Sequence, residues 1–311
     1  MQNGKFQAQA YQITIETDVT KREQTQHGDP SFPVIVYHDS LRKSTLGYIN
    51  WHWHPELQYV YVTEGRVRYL VNSSEMILNP GDGLLINSGR LHMAETMPDE
   101  HGTYVSLMFH PSILSSFPGS VYNTEYVRPW LENEGIPYSL LRDTVQEDNA
   151  INRLFLNVIQ AYENTVTDQE IEVLLSLWRA WQAVIHRSVH EIRSIPSTLA
   201  MTVMSYISSH LSEPLSLNQI SSAAHLSKEE CCRRFKQITG ETIFTYIKKS
   251  RLEYSLNLLR NSDMTISEIA YASGFSTTSY FISTFRSATG TTPGSYRREH
   301  RPDTITREIS V

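Results

Sequence analysis

The hydrophobic periodicity changes once along this chain, and that change restricts the fold more than any other feature. Between about residues 33 and 110 the apolar residues fall in short alternating runs. These are PVIVYH (33–38), LQYVYVT (57–63), RVRYLV (66–71), EMILN (75–79), GLLIN (83–87) and TYVSLMF (103–109). Alternation sends every second side chain to one face, as in half-buried strands. The runs are broken at Glu64-Gly65, Asn72-Ser73-Ser74, Pro80-Gly81-Asp82 and Ser88-Gly89, all turn-forming combinations. Strands so short and regularly spaced predict an antiparallel barrel or jelly roll.

After Pro111 the spacing becomes helical. Short helices are expected near 111–116 and 124–132, followed by a longer one carrying Ile151, Leu154, Phe155, Val158, Ile159 and Tyr162. A second long helix, about 168–190, sets Ile171, Leu174, Trp178, Trp181 and Ile185 at 3-4-3-4 intervals. That stripe fits a coiled-coil dimer seam or packing against the barrel within one subunit. Ser194–Ser197, around Pro196, marks a boundary, and from 198 to about 299 the period is helical throughout. The expected architecture is multidomain α+β: an antiparallel β-barrel of cupin-like jelly-roll type over 1–110, a helical linker and dimerisation segment over 111–195, an all-α domain over 196–300, and a frayed tail over 301–311.

Composition narrows the classes. The two cysteines, Cys231 and Cys232, are adjacent, which excludes a disulfide framework and a cysteine zinc cluster and fits a reducing cytoplasm. No stretch approaches the ~20 apolar residues of a membrane helix. The beginning, MQNGKFQAQAYQITIE, lacks the apolar segment and cleavage site of a secretory signal, so a cytoplasmic location is expected. Net charge is −6, but it is unevenly spread: 14 Lys/Arg against 23 Asp/Glu in 1–195, and 11 against 8 in 196–300. An acidic front and a mildly basic back are the asymmetry of a sensor joined to a polyanion-binding domain.

The basic third contains one pattern twice. In LSLNQISSAAHLSKEECCRRFKQITG (215–240), a short helix from Leu217 to Ala224 meets a turn at His225-Leu226. Ser227 then caps a second helix, from Lys228 to about Ile238, that stops at Gly240. MTISEIAYASGFSTTSYFISTFRSATG (264–290) repeats this about fifty residues later, with Gly274 at the turn, Ser276 as cap, a helix from Thr277 to Ala288, and a stop at Gly290. Between the two, Thr242 to Arg260 reads as one amphipathic helix burying Ile243, Ile247, Leu252, Leu256 and Leu259. Two helix-turn-helix units on a stiff spacer suit successive major-groove segments, which lie ~34 Å apart.

These residues carry a resemblance. Arg251-Leu252, Ser255, Leu258-Leu259, Ile266, Ile269-Ala270, Gly274-Phe275, Ser279-Tyr280-Phe281, Phe285-Arg286, Gly290, Thr292-Pro293 and Tyr296-Arg297 make segment 198–299 resemble the DNA-binding domain of the AraC/XylS family of transcription regulators. The resemblance implies sequence-specific binding to double-stranded promoter DNA, usually as a homodimer, with RNA polymerase a further partner of an activator. A sugar or related metabolite is the effector class it implies. In the first unit, Ser227, Lys228, Glu229, Cys232, Arg233 and Lys236 are the expected DNA-facing set. Arg233 is the candidate guanine reader, because its fork matches O6 and N7 together. Lys236, Lys248 and Arg286 suit phosphates. The second unit has Ser283 where many family members carry a basic residue, which leaves Thr277, Thr278 and Ser279 as modest polar contacts.

In the front domain, Trp51-His52-Trp53-His54-Pro55-Glu56-Leu57-Gln58 with Gly65, and Gly81-Asp82 through Ser88-Gly89-Arg90-Leu91-His92, resemble the two cupin motifs. His52, His54 and Gln58 share parity, so a strand points them to one face, and His92 completes the set. Gln58 stands at the acidic ligand position and Asn87 replaces an expected proline. The preferred reading is a metal-free, cofactor-free pocket in which His52, His54, Gln58 and His92 hydrogen-bond a small effector. A divalent metal site and a purely structural histidine cluster remain open. Trp51 and Trp53, of opposite parity, are expected to pack on the outer face. The rival function is a metal-dependent cupin enzyme with an appended DNA-binding domain. Activation versus repression, operator and effector identity are not written in these residues.

Overall fold

The structure, a computed structural model, describes residues 15–41, 46–97, 100–117, 119–133, 135–164, 167–187 and 198–300. The chain divides into two units whose main boundary falls between Met201 and Thr202. The boundary expected around Pro196 and the tail 301–311 lie outside the described residues.

In the first unit the alternating runs form β1 (Val34–Ser40), β3 (Leu57–Glu64), β4 (Val67–Val71), β5 (Ser74–Leu78), β6 (Gly83–Ile86) and β8 (Thr103–Phe109). Three strands come from segments without a clear alternating run: β2 (Tyr48–His52), β7 (His92–Thr96) and β9 (Tyr138–Leu141). They assemble into two antiparallel sheets, one in the order β1-β8-β3-β6-β9 and the other β2-β7-β4-β5.

The larger sheet is covered on both faces. Val60, Val62, Leu84 and Tyr104 turn toward Val67, Tyr69 and Leu78 of the smaller sheet. Tyr59, Leu85, Leu107 and Phe109 turn the other way, into a core with Phe155, Leu177 and Trp181. That double cover explains why β6 and the Leu57–Val62 part of β3 are largely apolar and buried, whereas Thr63 and Glu64 at the end of β3 are exposed.

Helices supply the outer cover. After α1 (Ser112–Ser115), a π-helical turn (Tyr122–Val127) and α2 (Arg128–Leu131) come α3 (Gln146–Glu163) and α4 (Gln169–His186). The boundary expected at 110 therefore falls inside one packed unit. β9 pairs with β6, and α3 and α4 share the sheet's own core. Asp82 anchors the segment after β9: its carboxylate accepts from Arg142 Nη1 (2.7 Å) and from the Asp143 backbone N–H (3.0 Å). The face of α4 that packs inward is Val173, Leu177, Ala180, Trp181 and Val184. Of the predicted stripe only Trp181 is fully buried, while Leu174, Trp178 and Ile185 flank that face and Ile171 is exposed.

The second unit is helical: α5 (Thr198–Ser209), α6 (Leu217–Ala223), α7 (Lys228–Thr239), α8 (Ile243–Asn261), α9 (Ile266–Ala272), α10 (Thr278–Thr289) and α11 (Pro293–His300). Side-chain caps define most of the starts. Ser216 and Thr265 form capping boxes with Gln219 and Glu268, and Ser227, Thr242 and Thr277 accept backbone N–H groups three residues on. Each such cap contributes about 1 kcal/mol. Thr277, not Ser276, caps α10, because the second turn is one residue longer than the first. The spacer helix buries its predicted stripe together with Tyr246, Ser250 and Ser255.

Candidate functional site

On α7 the residues expected to face DNA are on the surface. Ser227, Lys228, Glu229, Arg233 and Lys236 are exposed and Cys232 is half-buried, while Cys231 and Phe235 are buried beneath them. Arg233 is held by a neighbour: its Nε and Nη2 donate to the two carboxylate oxygens of Glu230 at 2.9 and 2.7 Å. Arg234, which sequence reasoning passed over, is also exposed and also donates to Glu230. Its place next to the candidate base reader was the available signal.

On α10 the expected polar contacts are partly engaged within the protein. Thr277 Oγ1 is the helix cap, Thr278 Oγ1 lies 2.9 Å from Ser267 Oγ, and Ser283 Oγ donates back to Tyr280 O. Ser279 and Arg286 are exposed, as are Tyr280 and Ile282. On α8, Lys248 is exposed, whereas Arg251 turns inward and donates to the carbonyls of Leu211 and Glu213. Arg251 thus braces the loop between α5 and α6.

In the first unit, His52 ends β2 and His92 begins β7, and the two are cross-strand partners. Their ring centroids lie 4.1 Å apart, and the His54 ring lies 5.0 Å from that of His92. All three are buried. Each Nδ1 faces a backbone carbonyl: His52 that of Asn50 (2.7 Å), His54 that of Glu56 (3.2 Å) and His92 that of Arg90 (2.8 Å). Those bonds put the proton on Nδ1 and leave Nε2 as the lone-pair nitrogen. Burial, reinforced by the neighbouring His92, holds His52 and His54 well below the ordinary histidine range, and burial brings His92 down to about 4. The cluster is therefore neutral at physiological pH.

Gln58 comes from the facing sheet and donates from Nε2 to Ser106 Oγ at 2.9 Å. With His52 and His92 it borders a closed cavity that has room for only about one water molecule. The structure thus brings the predicted set together but leaves no ligand-sized space among these side chains. Sequence reasoning missed Glu23 and His27, both buried, from the segment before β1. Glu23 Oε2 lies 3.2 Å from His27 Nε2 and 4.0 Å from His52 Nε2, and His27 Nδ1 lies 3.1 Å from the Tyr37 hydroxyl. Backbone bonds between Glu23 N and Trp53 O, and between Trp53 N and Lys21 O, strap that segment against the histidine strand. No local motif announced it. Trp51 is buried, and Trp53 is half-buried, donating to Thr20 O.

A ligand-sized opening lies beside the cluster. It is a groove of about 480 Å³ whose lining includes Arg22, Glu23, Gln26, His27, Glu56 and His110.

Comparison with known proteins agrees with both halves. Residues 34–177 match the AraC-like ligand binding domain, and residues 220–299 match a helix-turn-helix domain. Over 285 residues, 90% of this chain and 97% of the relative, the sequence is 31% identical to the uncharacterized HTH-type transcriptional regulator YdeC of Bacillus subtilis. The chain belongs to the AraC family of helix-turn-helix transcriptional regulators.

This AraC-family chain is also 33% identical to the xylose operon regulatory protein of Escherichia coli over 114 residues, 37% of the chain and 29% of that relative. Among solved structures it is similar to ToxT of Vibrio cholerae O395, with TM-score 0.41, 14% identity, and coverage of 88% of this chain and 99% of that one. An AraC-family protein is a DNA-binding transcription regulator with a ligand-binding domain, and the rival reading as an enzyme gives way to that membership. Among the described residues, no helix is long and apolar enough to cross a membrane.

Proposed function

We propose that this regulator reads promoter DNA as a homodimer and is switched by a small polar metabolite, a sugar or a related compound. The observation that carries the reading is the open polar groove in the ligand-binding unit of a chain whose other unit is a helix-turn-helix pair. About 480 Å³ suits a single metabolite, and the lining mixes charged and hydrogen-bonding groups that would orient hydroxyls. The closed histidine cavity moves the expected effector contacts outward, to Arg22, Gln26, Glu56 and His110.

On DNA, Arg233 reads a guanine edge while Lys236, Lys248 and Arg286 neutralise phosphates, and Ser279 supplies a polar contact from the second unit. Self-association is supported by α4, which leaves Ile171 and Leu175 exposed on its outer face. A metabolite that prefers one arrangement of the dimer shifts the population of DNA-competent states.

The test uses the full chain. Selection from random duplexes should yield a site with paired half-sites, bound at least about 10³-fold more tightly than random competitor. A melting screen across sugars and sugar acids should then find one that stabilises the protein by mass action and alters affinity for the selected site. Equal binding to selected and random duplex would overturn the DNA reading. A specific DNA binder that no polar metabolite stabilises would overturn the effector reading.

A further inference from the structure

We propose that His52, His54 and His92, joined by Glu23 from the preceding strap, bind a divalent first-row transition-metal ion. Among the described residues these three histidines form a buried set whose ligand atoms all lie within 4.8 Å of one another. Their protonation is already arranged for the task. Each Nδ1 is committed to a backbone carbonyl, which orients the ring and raises the basicity of the other nitrogen, the usual support around a metal-bound imidazole. The Nε2 atoms of His54 and His92 are buried and have no hydrogen-bond partner. A buried acceptor in that state is costly, so its retention calls for an occupant.

The space selects the occupant. The cavity bordered by His52, His92 and Gln58 has room for about one water, which is too little for a metabolite. Two oxygens stand at the rim of the set. Glu23 Oε2, 4.0 Å from His52 Nε2, brings the negative charge that Gln58 lacks. Gln58 Oε1 is buried and unpartnered, a neutral acceptor for the ion or for its water. Three imidazoles, a carboxylate and no thiolate suit zinc, iron(II), cobalt(II) or nickel(II) over magnesium or calcium, which prefer oxygen. Because Glu23 lies on the strap, His52 on β2 and His92 on β7, the ion would fasten the strap to the smaller sheet. Glu23 also lines the open groove, so metal occupancy would set one wall of the proposed effector site without depending on it.

Full-length protein stripped with a chelator and titrated with Co²⁺ tests the assignment, read by visible d–d absorption and by calorimetric stoichiometry. The expected result is one ion per chain with the spectrum of a nitrogen-rich site of low coordination number, and a melting temperature that rises with metal. Glu23→Gln should weaken binding about 10- to 100-fold, and His54→Asn by at least about 100-fold, the scale at which ligand and supporting groups count. His92 is the cross-strand partner of His52, so its replacement disturbs strand pairing and Gln58→Glu serves as the complementary variant. By adding a carboxylate at the cavity it should tighten binding about tenfold and deepen the stabilisation by metal. Failure of wild type to bind one equivalent, or binding unchanged in both His54→Asn and Gln58→Glu, overturns the proposal. Neither outcome bears on promoter recognition.

Discussion

Aligned on their caps, α7 and α10 match inside and diverge outside. Phe235 and Phe285 each lie eight residues past the cap, Ser227 or Thr277, and both are fully buried. Gly240 and Gly290 each lie thirteen residues past it, both with positive φ. The outward positions share little. α7 presents Lys228, Arg233, Arg234 and Lys236 with two glutamates, whereas α10 presents Ser279, Tyr280, Ile282, Ser283 and Arg286. The crossing of helices fixes what is inside, since a mispacked core costs several kcal/mol, and it leaves the outside free to specialise. By this comparison the first unit is equipped for guanine readout and the second for phosphate and thymine-methyl contact.

The largest expected effect tests the shared interior. Phe235→Ala and Phe285→Ala should each cost about 3–5 kcal/mol, as for other buried phenylalanines. Phe235 packs edge-on against Tyr246, and Phe285 against Phe281 and Tyr296. Urea unfolding of the full chain, followed through the helical transition, measures both. A cost below about 1 kcal/mol for either one, under the range of core truncations, would break the equivalence.

The turns differ in a way that gives the next effect. At the left-handed position the first unit has His225, φ 54°, and the second has Gly274, φ 81°. A Cβ on Gly274 would stand 2.1 Å from the Leu211 carbonyl oxygen, with the Arg251 guanidinium also in the way. Gly274→Ala should therefore lose more than about 2 kcal/mol, combining the left-handed penalty with a backbone clash. His225→Gly should be neutral or stabilising by up to about 1 kcal/mol, as strain relief is offset by the entropy of glycine. Thermal melting of the two variants would sharpen the contrast, and equal losses would undo it.

These turns also show how far sequence carries. Helix-turn-helix periodicity, stop glycines and the cap Ser227 were all legible, because each is a local rule acting within a few residues. The extra residue in the second turn was not, since Ser276 and Thr277 are equally good caps and only the crossing of α9 and α10 chooses between them. In the sensor unit, strands with one or both faces buried were legible from their apolar runs. β7 was not, because its HMAET sequence carries function-type residues in place of an alternating pattern. His52, His54, Gln58 and His92 could be grouped by parity. Glu23 and His27 could not, because a strap held by backbone bonds leaves no side-chain period to read.

Arg233→Ala should cost about 1–3 kcal/mol of specific affinity and relax preference at one base pair, the signature of a lost bidentate contact. Ser283→Ala should cost less than about 0.5 kcal/mol, the ordinary range for surface substitutions, as Ser283 Oγ already bonds the Tyr280 carbonyl. Equilibrium binding to a selected duplex at fixed salt compares them. Equal losses would mean that base readout is shared evenly between the units.

The smallest effect concerns a contact present in only one unit. Glu230 accepts from Arg233 and Arg234, and those three bonds bring its carboxyl down to about 2. The position one cap-relative step equivalent in α10 is Tyr280, and its first turn has no acidic residue. With a folded-state pKa below the ordinary carboxylate value, the pairing is complete above about pH 4.5 and is lost only as pH falls toward 2, so at neutral pH Arg233 must leave Glu230 to reach a base. Glu230→Gln keeps a side chain that can still serve the helix start while releasing the arginine. It should raise DNA affinity about threefold, the scale of an exposed ion pair, and steepen the salt dependence because one negative charge near phosphate is gone. Tyr280→Gln should leave the salt dependence unchanged. A fall in affinity for Glu230→Gln would mean instead that Glu230 holds the Arg233 fork in its reading orientation, and the asymmetry between the units would then rest on preorganisation as well as on charge.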